Sequence, residues 1–248
     1  MTTMLKAEGL VKRFGGLAAN DGVSLDVAEG SIHGLIGPNG AGKSTAINLL
    51  SGEAKPDEGS VTFAGSDITA LPPHARAERG LQRSYQVASL FHEFTALDHV
   101  ALALQTRAGH SFRFFTAARR DASLRDPART RLAALGLEGL AERRIADIAH
   151  GERRQVELAM VLATDPTMLL LDEPMAGMGR TEREAMVTTL GALKGKVTIL
   201  LVEHDMDVVF ALADIITVMV KGQPIATGDP ASIRADAAVR TAYLGDMA

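Results

Sequence analysis

The sequence predicts an α/β protein: a mainly parallel sheet, an antiparallel β layer and an inserted helical subdomain. Three observations predict it. Short runs that are almost wholly apolar, such as Met168–Leu171 and Val197–Val202, alternate with helix-like stretches, the pattern of strands buried on both faces. A glycine-rich segment ending in Lys43-Ser44 stands between one such run and a helix. The middle of the chain then turns helical in pattern and rich in Arg and Ala.

The elements follow in order. Met4–Leu10 and Gly22–Val27 are short runs with polar breaks, separated by Gly15-Gly16, and read as an antiparallel layer. Ser31–Ile36 reads as a buried strand, and Lys43–Leu50 as the helix after it, stopped by Gly52. Leu97–Gln105 and Thr116–Leu135 look helical, and Val156, Ala159, Met160 and Ala163 repeat at helical spacing. They place a helical subdomain over residues 87–165, within one domain spanning 1–248 that ends in an extension over 221–248. Met168–Leu171, Val197–Val202 and Ile215–Val220 supply further central strands.

The 248 residues suffice for one large domain with a sizeable core. A net charge of -4 argues against a protein held to nucleic acid by bulk electrostatics. Without cysteine there is no disulfide, thiolate metal site or thiol catalysis. Met1 to Gly16 lacks the apolar core of a secretory signal, so none is expected. No apolar run approaches the ~20 residues of a membrane helix.

Gly37-Pro38-Asn39-Gly40-Ala41-Gly42-Lys43-Ser44, followed by Thr45, matches the phosphate-loop pattern of P-loop NTPases at every fixed position. Glycines let the backbone wrap an anion and aim several N–H groups at it. The helix that follows adds its positive N-terminal end. Lys43 brings a charge to the β- and γ-phosphates, and the Ser44 hydroxyl can ligate Mg²⁺. ATP with Mg²⁺ is the expected ligand.

Leu169-Leu170-Leu171-Asp172-Glu173 ends an apolar strand on two acids, delivered to the ligand crevice of an α/β sheet. Asp172 is expected to hold Mg²⁺ through water, and Glu173 to polarise the attacking water as general base. His204 follows a second apolar strand and reads either as a γ-phosphate contact that orients this water or as a structural histidine.

The order of phosphate loop, Gln86, helical insert, Gly151 heading a helix, Asp172-Glu173 and His204 resembles the nucleotide-binding subunits of ABC transporters along essentially the whole chain. The resemblance implies that Phe14 stacks on adenine, although a core role for this Phe stays open from the residues alone. It implies that Gln86 touches Mg²⁺ and senses the membrane partner. Ile148-Ala149-His150-Gly151-Glu152 aligns with the LSGGQ segment, which in the family reaches a partner's γ-phosphate across a dimer. Gly151 is kept, whereas Ala149 replaces serine, His150 a glycine and Glu152 the glutamine. Gly179 stands where the family usually has an acid or amide.

Lys12-Arg13-Phe14-Gly15-Gly16-Leu17, Gly177-Met178 and Ala242-Tyr243-Leu244-Gly245 resemble the larger ATPase of branched-chain amino acid importers. The resemblance implies an ATPase at the cytoplasmic face of the inner (plasma) membrane. Its implied partners are permease subunits, a second ATPase subunit (identical or different) and, indirectly, a substrate-binding protein, with no nucleic acid. Leu71–Arg76 resembles a segment of lipopolysaccharide-export ATPases, and urea or amide importers stand close. Phe112, Phe114 and Phe115 read as an anchor folding their loop onto its own domain, or as a contact with the membrane partner or a lipid-facing rim. Residues 87–165 lack the sustained heptads of a chromosome or DNA-repair ATPase. A small-molecule kinase would need an acceptor pocket and a lid, and a non-hydrolysing nucleotide module would be unaffected by loss of Glu173.

Overall fold

A computed structural model of the chain describes residues 2–84, 90–107 and 121–244. Gln86 and the aromatic cluster at Phe112, Phe114 and Phe115 lie outside the described residues. The chain divides into two compact units, one of Met1–Arg83, Thr167–Glu173 and Leu190–Ala248, the other of Ser84–Pro166 and Pro174–Thr189.

In the first unit, β1 (Thr3–Phe14) and β2 (Leu17–Ala28) pair antiparallel, and β1 takes β4 (Glu58–Phe63) on its other side. Both strands are longer than the sequence pattern suggests. The pairing slips between Ala7 and Leu10, and the strand runs on through the irregularity, so a break in alternation does not end it. A short β5 (Ser66–Asp67) completes this sheet in the order β2-β1-β4-β5.

The second sheet contains β3 (Ile32–Ile36), β6 (Leu81–Ser84), β7 (Met168–Asp172), β8 (Thr198–Val202), β9 (Ile215–Val220) and β10 (Gln223–Gly228), in the order β10-β9-β3-β8-β7-β6. The pairs β3–β8, β3–β9 and β7–β8 are parallel. Every residue of β3, β7 and β8 is buried, which is why these segments read as mainly apolar runs, interrupted by His33 in β3, Asp172 at the end of β7 and Thr198 at the start of β8. The expected strands at Ser31–Ile36, Met168–Leu171, Val197–Val202 and Ile215–Val220 are these, within a residue of each end. The edge strand β10 is antiparallel to β9 and alternates exposed and half-buried positions, so it lacked that signal.

Helix α1 (Lys43–Ser51) follows β3 and stops at Gly52, whose φ of 84° is the left-handed helix cap. Its Ile47, Leu49 and Leu50 pack with Leu5, Leu10 and Val61 of the antiparallel sheet and with Leu170 and Leu200 of the parallel one. Below its C-terminus lies α2 (Pro73–Glu78), which carries the fully buried Arg76. The Arg76 guanidinium donates to the carbonyls of Leu49, Leu50, Thr69 and Leu71 at 2.7–3.0 Å. It thereby satisfies helix-end acceptors that a buried terminus would otherwise strand. Burial lowers its pKa to about 10, which leaves it charged at neutral pH. A separate cluster joins Ile36, Ile216 and Val218 to α7 (Met206–Leu212), α8 (Pro230–Ala235) and α9 (Ala237–Leu244) through Val209, Ile233 and Val239.

The second unit is helical: α3 (Ala96–Arg107), α4 (Ala122–Ala134), α5 (His150–Ala163) and the start of α6 (Arg180–Leu193). Leu97, Val100, Leu132, Ile145, Val156 and Ala159 form its core. The many arginines serve ion pairs: Arg125 meets Asp98 at 2.8 Å, and Arg129 and Arg131 pair with Glu142 and Asp165. Among the described residues no helix is long and apolar enough to cross a membrane.

Candidate nucleotide-binding site

Strand β3 hands the chain to the glycine loop, and α1 begins at its far end. The loop is fixed by contacts with its neighbours. A Cβ at Gly37 would fall 2.2 Å from the Met219 carbonyl oxygen, and one at Gly42 would fall 2.3 Å from that of Ala19. Gly42 also has φ 95°, a region that L side chains avoid. The buried Asn20 amide donates to the Gly42 carbonyl at 3.1 Å. The Lys43 ammonium spans the loop, donating to the carbonyls of Gly37 at 2.6 Å and Pro38 at 3.1 Å. Burial pushes its pKa down, and the charges of Glu173 and then Asp172 oppose that shift. Gly40 has φ 75° and open space around its α-carbon. Ala41 is buried, Asn39 and Ser44 are exposed, and Thr45 is half-buried in the first turn of α1. The result is a backbone cradle at the positive end of a helix, suited to a polyphosphate.

Strand β7 ends on Asp172, which is 7% exposed. Burial raises the pKa of this carboxyl, and the Arg83 guanidinium, 3.1 Å from its Oδ2, works against that. Glu173 has φ 46°, in the left-handed region, which costs a residue with a Cβ about 1–2 kcal/mol. Its N–H donates to the Val202 carbonyl at 2.9 Å, pinning the turn against the end of β8. The turn brings Glu173 Oε1 to 3.9 Å from Nδ1 of the exposed His204. Glu203, 1% exposed, lies under this ring: its Oε2 is 3.7 Å from Nδ1 and accepts the His204 N–H at 3.2 Å. Two acids thus flank one histidine.

Phe14, at the end of β1, is 58% exposed, with the Lys12 ammonium 5.9 Å from its ring centroid. The core reading of this residue is therefore wrong: its ring is exposed.

In the helical unit, α5 opens at the Ala149-His150-Gly151-Glu152 segment. Alanine has no side-chain acceptor, so only half of a capping box forms, the Ala149 N–H donating to Glu152 Oε2 at 2.8 Å. Glu152 therefore caps its own helix. His150 Nε2 lies 3.4 Å from the Ala176 carbonyl oxygen. Gly151 is buried against Glu182, whose carboxylate accepts the Gly179 N–H at 2.9 Å and caps α6 in the same way.

Three residues near the site escaped sequence reasoning: Asn20, Arg83 and Glu203. Arg83 holds Asn48, Ser51 and Glu53 as well as Asp172. Its only sequence signal was a charge within a short β-like segment. Glu203 carried a usable one, an acid directly after the four apolar residues Ile199–Val202.

A glycine cradle between a parallel strand and a helix, with an acidic strand end in the same unit, defines the class as a P-loop nucleotide-binding protein. The ABC transporter family matches residues 20–176, and the branched-chain amino acid ATP-binding cassette transporter family matches residues 223–248. The high-affinity branched-chain amino acid transport ATP-binding protein BraF of Pseudomonas aeruginosa is 37% identical over 98% of both chains. Its counterpart LivG of Escherichia coli strain K12 is 36% identical, again over 98% of both. A solved nucleotide-free ATP-binding cassette from an ABC transporter superposes with a TM-score of 0.86 at 31% identity, covering 98% of this chain and 99% of that one. An ADP-bound cassette gives 0.87 at 31% identity, covering 99% and 100%. The chain belongs to the ABC transporter family, as an ATP-binding subunit that hydrolyses ATP.

Proposed function

We propose that this chain is the ATP-hydrolysing motor of an importer for branched-chain amino acids, working on separate permease subunits at the cytoplasmic face of the inner membrane. The match of residues 223–248 to the branched-chain amino acid cassette family carries the solute class. It favours that class over lipopolysaccharide export and over urea or amide import. Full-length likeness to BraF and LivG supports the same reading.

In this reading the loop from Gly37 to Thr45 wraps the phosphates with backbone N–H groups, and Lys43 exchanges its loop carbonyls for phosphate oxygens. Phe14 offers its exposed ring to adenine. The donor set fits Mg²⁺. A divalent ion here would be held by a carboxylate, a hydroxyl and phosphate oxygens. Ser44 and Asp172 supply the first two, with Gln86 as a further ligand. Bound there, Mg²⁺ neutralises charge that develops on the phosphates. Glu173 takes the proton of the attacking water while the bond from the γ-phosphorus to ADP breaks, and His204 orients that water. Gly151 and its helix end meet ATP held by a second ATPase subunit. The swing this drives passes to the permease through the region after Gln86.

The test is uptake of radiolabelled leucine by cells carrying the chain or its Lys43→Ala variant. Loss of uptake with the variant is expected. Unchanged uptake would remove the amino acid assignment and leave the ATPase standing.

A further inference from the structure

Arg83 links two parts of the site that lie on different elements. It stands on β6, next to β7 in the sheet. Its Nη1 donates to Asn48 Oδ1 at 2.7 Å, Ser51 Oγ at 3.2 Å and Glu53 Oε2 at 2.9 Å. These three acceptors lie in the last turns of α1 and just beyond it, the helix whose first turn carries Lys43 and Ser44. Its Nη2 donates to Asp172 Oδ2 at 3.1 Å. The guanidinium is flat and rigid, so three anchors on one nitrogen fix where the other points. The side chain is only 11% exposed, and Asp172 7%, so water neither screens the pair nor competes strongly for it. One cation stands between the Glu53 and Asp172 carboxylates. Among the described residues Oδ2 of Asp172 is the oxygen held, which leaves Oδ1 to face a cation.

We infer that Arg83 is a positioning residue that sets the Asp172 carboxylate at a fixed place relative to Ser44, so that the two oxygen ligands of Mg²⁺ stand ready on separate elements. The inference rests on the reading of Asp172 as the Mg²⁺-holding carboxylate. Arg83 touches neither nucleotide nor metal; it acts through Asp172. Packing alone is a different role, because a mere anchor would affect nucleotide binding equally with and without the metal.

The experiment measures binding of a fluorescent ATP analogue to the full chain, first in EDTA and then in excess Mg²⁺. The parent sets the Mg²⁺-dependent gain in affinity. Arg83→Gln is expected to bind within about twofold of the parent in EDTA but to lose roughly tenfold of that gain, as expected for loss of a charged hydrogen bond. Arg83→Lys keeps the charge and one contact, and is expected to recover part of it. Should Arg83→Gln fail to fold, Asn48→Ala loosens the shortest anchor while keeping the charge, and is expected to reduce the gain in the same direction. Asp172→Asn separates the two claims. If it abolishes the gain while Arg83→Gln and Asn48→Ala leave it at the parent value, the positioning role is overturned and the metal site stands. Equal losses for Arg83→Gln in EDTA and in Mg²⁺ overturn it as well, in favour of a structural anchor. If Asp172→Asn itself keeps the gain, the metal-site reading fails and the inference falls with it.

Discussion

The Glu182 carboxylate occupies the space that a side chain at Gly151 would need: a Cβ there would fall 2.2 Å from Glu182 Cδ. The same carboxylate caps α6 through the Gly179 N–H. Gly151→Ala must therefore displace it, at the cost of a helix cap worth about 1 kcal/mol. In a Glu182→Ala background the three atoms closest to the new Cβ are gone, and alanine is the better helix former by up to ~1 kcal/mol. A double-mutant cycle from urea denaturation should give a coupling of about 1 kcal/mol or more. Additive effects would contradict the contact.

Among the described residues, Arg76 is the side-chain donor to four carbonyls around the C-terminus of α1. Arg76→Ala removes this donor from all four carbonyls, of which Leu49 keeps the Gly52 N–H at 3.3 Å, and should destabilise the fold by roughly 3 kcal/mol or more. The readout is the denaturation midpoint at constant slope. A loss below about 1 kcal/mol would show that the carbonyls find other partners.

His33 lies 2% exposed in β3, with Nε2 2.9 Å from Thr217 Oγ1. Burial lowers its pKa from 6.5 to about 4. Because the folded value lies below the unfolded one, protons bind the unfolded chain more readily. The contribution is complete above pH 6.5 and is lost as pH falls toward 4, amounting to about 3 kcal/mol. His33→Gln keeps a polar partner for Thr217 without this titration. Its stability should fall less steeply than the parent's between pH 6.5 and 4. Parallel curves would place the acid sensitivity elsewhere.

Phe14 is exposed, so its removal should barely change stability, by roughly 0.5 kcal/mol or less. Lost stacking should nevertheless weaken ATP binding about fivefold to a hundredfold. Unaltered affinity for ATP in Phe14→Ala would leave adenine to another surface.

The parts of this molecule legible in its sequence are those where chemistry or burial dictates residue type. The segment Gly37 to Thr45 is legible because a phosphate cradle needs glycine, lysine and a hydroxyl at set spacing. Strands β3, β7 and β8 are legible because both faces are covered. Arg83 is not, since its bond to Asp172 spans 89 positions and a buried arginine reads like a surface one until its partners are known. In the sequence Arg76 carries only the family likeness of the Leu71–Arg76 segment, whereas its physical work is to satisfy α1. For Phe14 the sequence allowed core and surface alike, and exposure decided between them.

The strained Glu173, 3.9 Å from His204, is the most direct test of the motor. The measurement is phosphate release from ATP by Glu173→Gln, alongside ATP binding. Turnover should fall by about 10²-fold or more, the usual weight of a general base, while ATP binding stays near the parent value. Turnover equal to the parent's would contradict the account, because the carboxylate at the end of β7 would then not be the group that takes the water's proton.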